Sequence, residues 1–535
     1  MNRHVISLLF FLGLSVPAAA RQGGELRFPG DPATDRFGTA VAGVGDVNGD
    51  GFGDVAVGTP YDSTQGTNRG LVCVFSGLDG SLLLQTYGGA DGDQFGWVVA
   101  PAGDVDGDGF ADFLVGSPEY RNGSLAQAGR ADLVSGADGS LLETWKGEGS
   151  KDFFGSALAG IGDADGDGVP DVAVGAWWAG NNGFHSGSAY VFSGADGSLL
   201  MRRDGNAPND YLGASVAAAG DVDGDGHADF LAGAWGADPS GESSGQASLF
   251  SGRDGSLLRS WDGAAEQIRF GQTLAGPGDV NGDGVPDVAV GAPLDNTAAF
   301  HAGAVRVFSG ADGSLLQVLL GDNANDTLGS SLAAAGDVDG DGIGDLLAGA
   351  PFNDDTDLNS GLAHVYSGLD GSVVATWRGQ AFADRLGAAV AGAGDVNGDG
   401  FADVILGAPH GNSLDPGYAW VPFSVSTLAL KTPKDLSTGR AVFRASDGRP
   451  GSRLSLHYSL NGFGMTLGRK GTRIDLAAPV RRLNRHGLAK VNSSGNARIV
   501  VQLSRKLSGV RIYVQALERK GGIKRRSTAI AIDVQ

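Results

Sequence analysis

The sequence predicts an all-β protein: a seven-bladed β-propeller with four antiparallel strands in each blade, followed by a small C-terminal β-sandwich. Three observations predict the propeller. An acidic string recurs seven times, a phenylalanine or leucine followed by glycine precedes every copy, and an Asp-Gly turn lies in six of the seven units. A unit of four short strands cannot bury its faces alone, so consecutive units are expected to pack around a common axis.

The acidic string reads Gly-Asp-x-[Asp/Asn]-Gly-Asp-Gly-x-x-Asp, and successive copies are 58 or 59 residues apart. Glycine accounts for 92 of 535 residues, but the strict glycine period of collagen is absent. Hydrophobic residues make up 41% of the chain, which is too much for a disordered protein. The composition therefore indicates a folded repeat protein.

Four strands are predicted in the first unit: Thr39–Val44, Asp54–Gly58, Leu71–Phe75 and Leu82–Tyr87. The acidic loop separates the first two strands. Asp79-Gly80, a strong hairpin signal, separates the last two. The small residues of the first strand suit the crowded position nearest the propeller axis.

The seventh unit is short, because no Asp-Gly turn or fourth strand follows Tyr418–Val421. The N-terminal segment Glu25–Phe28 lies one repeat period before the fourth strand of the first unit. It therefore corresponds to a fourth strand, but no unit precedes it to supply the other three strands. Pairing these two segments would close the ring and remove two open sheet edges. We therefore expect the N-terminal strand to complete blade seven.

These motifs resemble the FG-GAP repeats of the integrin α-subunit β-propeller, and the resemblance covers residues 23–424. It implies the propeller fold and calcium binding, and more remotely adhesion. The chain departs from the pattern at Trp177 and Trp235, which replace proline, and in three units that have leucine for phenylalanine. Residues 425–535 do not resemble integrin leg domains.

Independently of that resemblance, each acidic loop has the pattern of a calcium site. In Asp46–Asp54, side-chain oxygens occupy positions one, three, five and nine, and position seven can offer a backbone carbonyl. Aspartate and glycine also make turns, but turns do not require acids at four fixed positions in seven copies. The candidate ligands are Asp46, Asn48, Asp50, Phe52, Asp54, Asp104, Asp106, Asp108, Phe110, Asp112, Asp163, Asp165, Asp167, Val169, Asp171, Asp221, Asp223, Asp225, His227, Asp229, Asp279, Asn281, Asp283, Val285, Asp287, Asp337, Asp339, Asp341, Ile343, Asp345, Asp395, Asn397, Asp399, Phe401 and Asp403.

About seven Ca²⁺ ions are expected, with a structural role. At ~1 mM Ca²⁺ and a Kd of ~0.1 mM, each site would contribute about 1.4 kcal/mol to folding. The only cysteine, Cys73, excludes an intramolecular disulfide, so calcium would supply the rigidity that exported proteins often gain from disulfides. Catalytic calcium is disfavoured, because each loop would saturate its own ion.

Ligand binding is predicted on the face opposite the calcium loops, where the loops vary in length and sequence among units. Such variation suits a binding face, although unconstrained loops vary too. The candidate residues lie in the third and fourth units: Trp177, Trp178, Phe184, His185 and Trp235. Clustered aromatic side chains suit a sugar ring or a protein hot spot. The alternative is that the tryptophans pack under their own loops.

No catalytic constellation is found, so the chain is predicted not to be an enzyme. Gly241–Gly245 matches the nucleophile-elbow string, but it lies in a loop with no helix after it. Cys73 stands in an apolar run and is expected to be a core residue. The alternative function is an extracellular polysaccharide lyase or hydrolase, or a phosphoesterase, that uses the propeller as a scaffold.

Residues 1–20 have the features of a secretory signal peptide, with a short basic start, an apolar run and a small-residue cleavage site. No later segment is apolar enough to cross a bilayer. The expected organisation is therefore a signal peptide over 1–20, a propeller over 21–424 and a basic domain over 425–535. The protein is expected to be secreted or held at the cell surface without a transmembrane anchor, and to be a monomer.

The net charge has opposite signs in the two parts of the chain. Residues 425–535 carry a net charge of +17, whereas the rest carries −39. The overall −22 makes nucleic acid an improbable partner, and an extracellular protein or glycan is expected instead. The basic domain could attach to an anionic surface polymer, dock on the acidic propeller, or only present a solvated face.

Overall fold

The computed structural model describes residues 20–22, 25–30, 36–409 and 416–422, and the backbone of strands between residues 430 and 533. Every regular element in this part of the chain is a β-strand. None of the described residues forms a helix that could span a bilayer. The predicted signal peptide falls almost entirely outside the described residues.

Seven antiparallel sheets form the blades: six contain four strands that are consecutive in the sequence, and the seventh combines three strands from the end of the propeller with two N-terminal strands. The first strands of neighbouring sheets lie side by side, which places them around the axis. The first strands are Ala40–Gly45, Val98–Gly103, Ala157–Gly162, Ser215–Gly220, Thr273–Gly278, Ser331–Gly336 and Ala389–Gly394. The second strands are Asp54–Thr59, Asp112–Ser117, Asp171–Ala176, Asp229–Ala234, Asp287–Ala292, Asp345–Ala350 and Asp403–Ala408.

The outer half of each blade is a hairpin. The third strands are Leu71–Phe75, Arg130–Val134, Ser188–Phe192, Gln246–Phe250, Ala304–Phe308, Leu362–Tyr366 and Tyr418–Pro422. The fourth strands are Leu82–Tyr87, Leu141–Lys146, Leu199–Asp204, Leu257–Asp262, Leu315–Leu320, Val373–Arg378 and, for blade seven, Glu25–Pro29. The predicted seven-bladed propeller with four antiparallel strands per blade is confirmed.

Burial explains the strand composition. The second strands are buried along their whole length, as their continuous apolar runs require, whereas the fourth strands keep an exposed edge. Small residues are needed in the first strands because these strands crowd the axis. A Cβ atom added at Gly43 would stand 2.3 Å from the carbonyl oxygen of Gly392 in the adjoining blade.

The first strand differs slightly from its prediction, because it runs from Ala40 to Gly45 rather than from Thr39 to Val44. Its pairing with the second strand shifts register between Gly43 and Gly45. Gly45 has a φ of 83°, which is accessible to glycine at little cost. This irregularity turns the chain into the acidic loop.

The ring is closed as predicted. Glu25–Pro29 pairs antiparallel with Tyr418–Pro422, and a further short strand, Ala20–Gln22, pairs with its free edge. Leu26 and Phe28 are fully buried, and the Phe28 ring lies 4.4 Å from the ring of Phe75 in blade one. The closing strand therefore joins the core between the first and last blades.

The cores lie between neighbouring blades. Cys73 is buried in the core that joins blades seven and one, beside Val57 and Ile405. Burial raises the pKa of its thiol to about 12, so the sulfur stays protonated. The prediction that Cys73 is a core residue is confirmed.

The chain divides into two compact units, residues 1–338 with 342–424 and residues 339–341 with 425–535. In the second unit, one sheet pairs Arg440–Ala445 with Leu430–Lys431 and Ala497–Gln502. The other sheet is built around Arg453–Ser459 and Arg511–Lys520. Its remaining strands are Arg481–Arg482, Ala489–Lys490, Ile523–Arg526 and Ile530–Asp533. The packing of these sheets as a sandwich stays a prediction.

Candidate metal loops and ligand-binding face

The acidic loops join the first and second strands of each blade, and their side chains fold back onto the loop backbone. In blade one, Asp46 accepts hydrogen bonds from the backbone N–H groups of Gly49 and Gly51, at 2.7 and 2.8 Å. Asn48 accepts one from Asp50 N–H at 2.9 Å. Both glycines have positive φ, which makes the tight turn possible. The turn draws the side-chain oxygens of positions one, three and five towards one another.

The aspartate at position nine is buried and ties the loop to the hairpin. Asp54 accepts hydrogen bonds from Val47 N–H and Gly77 N–H, both at 3.0 Å. Burial raises the pKa of its carboxyl group to about 6. The same two bonds hold the equivalent aspartate in five further blades: Asp112, Asp171, Asp229, Asp287 and Asp345.

Blade seven varies this arrangement. Asp403 accepts a hydrogen bond from Val396 N–H at 3.2 Å and another from the side-chain amide of Asn397 at 2.7 Å. The bond to a glycine after the third strand, present in the other six blades, shows that the acidic loop and the Asp-Gly turn lie at the same end of those blades. Antiparallel strand order requires the same, because the acidic loop follows the first strand and the Asp-Gly turn follows the third strand.

Carboxylate oxygens converge in four loops, where three of them lie within 4.8 Å of one another. The groups are Asp104 with Asp106 and Asp108, Asp163 with Asp165 and Asp171, Asp221 with Asp223 and Asp225, and Asp337 with Asp339 and Asp345. Such close carboxylates repel one another unless a cation or protons neutralise them. The donors are all oxygen, which is the set that Ca²⁺ prefers. The residues present therefore fit calcium.

Position seven, predicted to supply a carbonyl ligand, also connects neighbouring loops through its side chain. An added Cβ at Gly49 would meet the ring of Phe110 at 3.0 Å. The His227 ring lies against the loop of blade three, with Nδ1 2.8 Å from the Ala164 carbonyl oxygen. In these two pairs of blades, the loop is packed against the loop of the preceding blade.

At the opposite end of the blades, the five predicted ligand-binding residues meet in one cluster. The His185 ring lies 3.6 Å from the Phe184 ring and stacks on Trp178 at 4.1 Å. Trp177 contacts Trp178 at 5.2 Å. Trp235, in the next blade, reaches the others only through a residue that the sequence analysis did not single out.

Two aromatic residues were missed. Tyr211 stacks on Trp235 at 4.5 Å and contacts Trp177 at 5.6 Å, and Phe153 contacts both Trp177 and Trp178. Both missed residues immediately precede the Phe-Gly or Leu-Gly pair of their unit. That shared repeat position in adjacent units was the signal that could have found them. We call these seven residues, from Phe153 to Trp235, the aromatic cluster.

Some rings of the aromatic cluster are partly buried against one another, and others are exposed to solvent. Its three tryptophans are each partly buried, whereas Phe184 is 70% exposed. The Nε1 atom of Trp178 is buried and has no hydrogen-bond partner. The tryptophans pack on one another as well as on their own loops, and the cluster keeps an open aromatic face.

The side chains of the aromatic cluster carry no formal charge at neutral pH. Burial, with a smaller effect of Lys151, lowers the pKa of His185, so its ring is uncharged at neutral pH. Arg269 lies over the Trp235 ring at 4.7 Å and is the cation at its edge. The surface can therefore offer ring faces and one guanidinium to a ligand.

The nucleophile-elbow string is a loop, as expected from its surroundings. Ser243 has a positive φ and donates its backbone N–H to Asp238. Ser244 is buried, and its hydroxyl lies 3.4 Å from the Ala237 carbonyl oxygen. These contacts stabilise the loop and leave no hydroxyl poised beside a general base there.

Comparison with known proteins matches six segments of the chain to the FG-GAP repeat: residues 37–75, 95–134, 212–250, 270–308, 328–366 and 386–421. The unit over 154–192 has the same strands but lies outside the matched segments.

Integrin alpha-5 of Xenopus laevis is 30% identical over 219 residues, which are 38% of this chain and 20% of that protein. Integrin alpha-V of Gallus gallus is 30% identical over 235 residues, 41% of this chain and 22% of that protein. Integrin alpha pat-2 of Caenorhabditis briggsae is 34% identical over 167 residues, 26% of this chain and 13% of that protein. The chain thus spans about a fifth or less of the length of these relatives.

Proposed function

The chain is an FG-GAP repeat protein whose seven-bladed propeller is similar to that of integrin α subunits, and from this premise we propose that it is an exported, calcium-stabilised binding module. It holds an extracellular protein or glycan on the face opposite the acidic loops and catalyses no reaction. The similarity to integrin α subunits favours a binding module over an enzyme.

The aromatic cluster is the observation that carries the proposal. Seven aromatic rings from two neighbouring blades form a connected surface, and its outermost ring, Phe184, is mostly exposed. Burying such rings against a ligand gains hydrophobic and stacking energy with little loss of side-chain entropy, because adjacent rings already hold them. Partly buried aromatic anchors of this kind are typical of binding hot spots.

Calcium is proposed as the structural partner of the acidic loops. Asp163, Asp165 and Asp171 illustrate the site, with three carboxylate oxygens gathered by the loop backbone. A bound ion supplies positive charge that offsets their mutual repulsion and the burial of Asp171. The chain itself positions these oxygens, through the backbone bonds to Asp163 and Asp171.

Export and surface attachment complete the proposal. The N-terminal residues support secretion, and the charge of +17 on residues 425–535 supports electrostatic retention at an anionic surface. That retention should weaken as ionic strength rises, because salt screens it.

Binding is tested with a glycan array and a pull-down from the native cell surface. Trp178→Ala and Trp235→Ala are compared with Trp261→Ala, a buried tryptophan whose indole N–H is bonded to Gly313. If the aromatic cluster is the site, the first two variants lose about 30-fold or more in affinity with little loss of fold. Trp261→Ala should lose ~3–5 kcal/mol of stability and keep its affinity per folded molecule. Unchanged binding by both cluster variants would contradict the proposal.

A further inference from the structure

Three arginines occupy the same position in different blades, immediately before the Phe-Gly or Leu-Gly pair. They are Arg36 in blade one, Arg269 in blade five and Arg385 in blade seven, and we call them the arginine rim. All three have a left-handed backbone, with φ of 53°, 55° and 52°. A non-glycine residue rarely adopts this conformation. It turns each side chain away from the path of the following strand.

The arginine rim borders a cavity of about 420 Å³ on the propeller axis. The cavity is lined by the residues that begin the first strand in all seven blades, and none of them is acidic or basic. Three of these lining residues, Thr39, Gln272 and Ala388, donate their backbone N–H to the carbonyl of the rim arginine three residues earlier, at 3.0–3.2 Å. The backbone of each rim arginine is therefore fixed at the mouth of the cavity.

Each guanidinium group of the rim rests on an aromatic ring. The guanidinium carbon lies 4.7 Å from the ring centre of Tyr61 for Arg36, and 5.0 Å from that of Phe352 for Arg385. Arg269 lies over Trp235 at 4.7 Å. The ring belongs to the same blade for Arg36 and to the preceding blade for Arg269 and Arg385. The ring covers one face of the guanidinium plane and accepts no hydrogen bond from the N–H groups at its edge.

Among the described residues, the rim arginines differ from several other arginines of the propeller in having no acidic partner. Arg130 and Arg306 each contact an aspartate, at 2.8 and 2.7 Å. Within the part of the chain that the structure describes, no acid forms an ion pair with a rim arginine. The Nε atom of Arg385 is also buried without an acceptor.

We propose that the arginine rim and the axial cavity bind a glycan that carries carboxylate groups, that is, a uronate-containing sugar chain. The planar N–H fork of arginine matches a carboxylate in a bidentate manner. The lining suits the rest of a sugar, because it is rich in serine and threonine hydroxyls. Trp97 also lines the cavity and is 38% exposed, so its ring can stack on a sugar. It contacts Tyr61, the ring on which Arg36 rests.

One polar atom at the cavity needs a hydrogen-bond donor from the ligand. The Oε1 atom of Gln272 is buried and has no donor. A sugar supplies many hydroxyl donors in the space beside its carboxylate, and a hydroxyl there would satisfy this acceptor. The inference deepens the proposed function and rests on it, since Arg269 also borders the aromatic cluster.

The test is calorimetric binding of a β-1,4-linked glucuronate trisaccharide to the full-length protein at constant calcium. Cellotriose is the matched neutral ligand, because it has a hydroxymethyl group in place of each carboxylate. We expect binding of the uronate, at least tenfold weaker binding of cellotriose, and an affinity for the uronate that falls with added salt.

Arg36→Gln and Arg385→Gln should each weaken uronate binding about tenfold or more. Arg253→Gln is the control, because Arg253 is exposed at the Asp-Gly turn on the other face. Melting temperatures show whether each variant is folded, and Arg36→Lys keeps the charge while removing the fork. Equal binding of the two sugars, or full uronate affinity in folded Arg36→Gln and Arg385→Gln, would overturn the inference.

Failure of this inference can be told apart from failure of the proposed function. If the uronate does not bind but the native surface is still captured in a manner sensitive to Trp178→Ala, the proposed function stands and the arginine rim is not its site. If acidic peptides of equal charge compete as well as the uronate does, the ligand class is wrong.

Discussion

The backbone N–H of Ala111 in blade two donates a hydrogen bond to the carbonyl oxygen of Asp46 in blade one, at 3.1 Å. The donor is position eight of one acidic loop, and the acceptor is position one of the loop before it. The same bond joins Ala228 to Asp163 at 2.8 Å, and Ala402 to Asp337 at 3.0 Å. Proline stands at this position in blades three and five, where no N–H is available. Three pairs of acidic loops are therefore linked through their backbones.

Ala228→Pro should uncouple the loops of blades three and four without unfolding the protein. Pro170 shows that this loop position accepts proline. Loss of one hydrogen bond should cost about 1 kcal/mol of stability. It should also lower calcium affinity in the loop that begins at Asp163, because that loop loses a constraint. Calcium titration by calorimetry and a thermal scan measure both effects, with Ala228→Gly as the control that keeps the N–H. Identical calcium isotherms for the two variants would argue against coupling.

Removal of calcium should lower the melting temperature by tens of degrees, and added Ca²⁺ should restore it. Seven sites that contribute about 1.4 kcal/mol each total a free energy comparable to the stability of a typical domain. Scanning calorimetry of the chelated, the calcium-loaded and the magnesium-loaded protein makes the measurement. Mg²⁺ should restore less of the lost melting temperature than Ca²⁺ does, because it demands tighter octahedral geometry. A midpoint that does not respond to chelation would exclude structural calcium.

The pH dependence should differ between calcium-free and calcium-loaded protein. Burial raises the pKa of Asp54 and Asp171 from 3.8 to about 6. Between about pH 4 and 6 the folded chain therefore binds more protons than the unfolded chain, so the stability of the calcium-free protein falls as pH rises through this range.

Bound calcium requires these carboxylates to be deprotonated, so its stabilisation should grow over the same pH range. The gap in melting temperature between loaded and calcium-free protein should therefore widen from pH 5 to pH 7. Protein freed of metal by dialysis, and scanned at fixed ionic strength, gives both curves. A gap that stays constant, or narrows towards pH 7, would contradict the assignment of these aspartates as ligands.

Loss of the closing strand should open blade seven. Deletion of residues 23–30 removes the buried side chains of Leu26 and Phe28 and exposes the edge of Tyr418–Pro422. We expect aggregation or rapid proteolysis, which light scattering and limited trypsin digestion would detect. Phe28→Ala, which keeps the strand, should cost ~3–5 kcal/mol and remain monomeric. A truncated protein as stable and monomeric as the intact one would show that the strand is dispensable.

The periodic sequence by itself determined the number of blades, the positions of the acidic loops and the closing strand. These features arise from local signals: alternating apolar residues, Asp-Gly turns and aspartates at fixed spacing, repeated seven times. Each signal depends on a few neighbouring residues. The strand bounds in blade one were accordingly predicted to within one residue: the first strand is Ala40–Gly45, one residue later than predicted, and the second ends at Thr59 rather than Gly58.

Only the tertiary structure decided which side chains meet across blades. Tyr211 joins Trp177 of the preceding blade to Trp235 of its own blade, and Arg269 lies over Trp235 of the preceding blade, although neither contact follows from the spacing of the repeats. The physical reason is that the left-handed backbone before each Phe-Gly or Leu-Gly pair sets the direction of the side chain. The closed ring then fixes the distance and angle between neighbouring blades, so partners roughly half a repeat apart in the sequence, such as Trp235 and Arg269, come together in space.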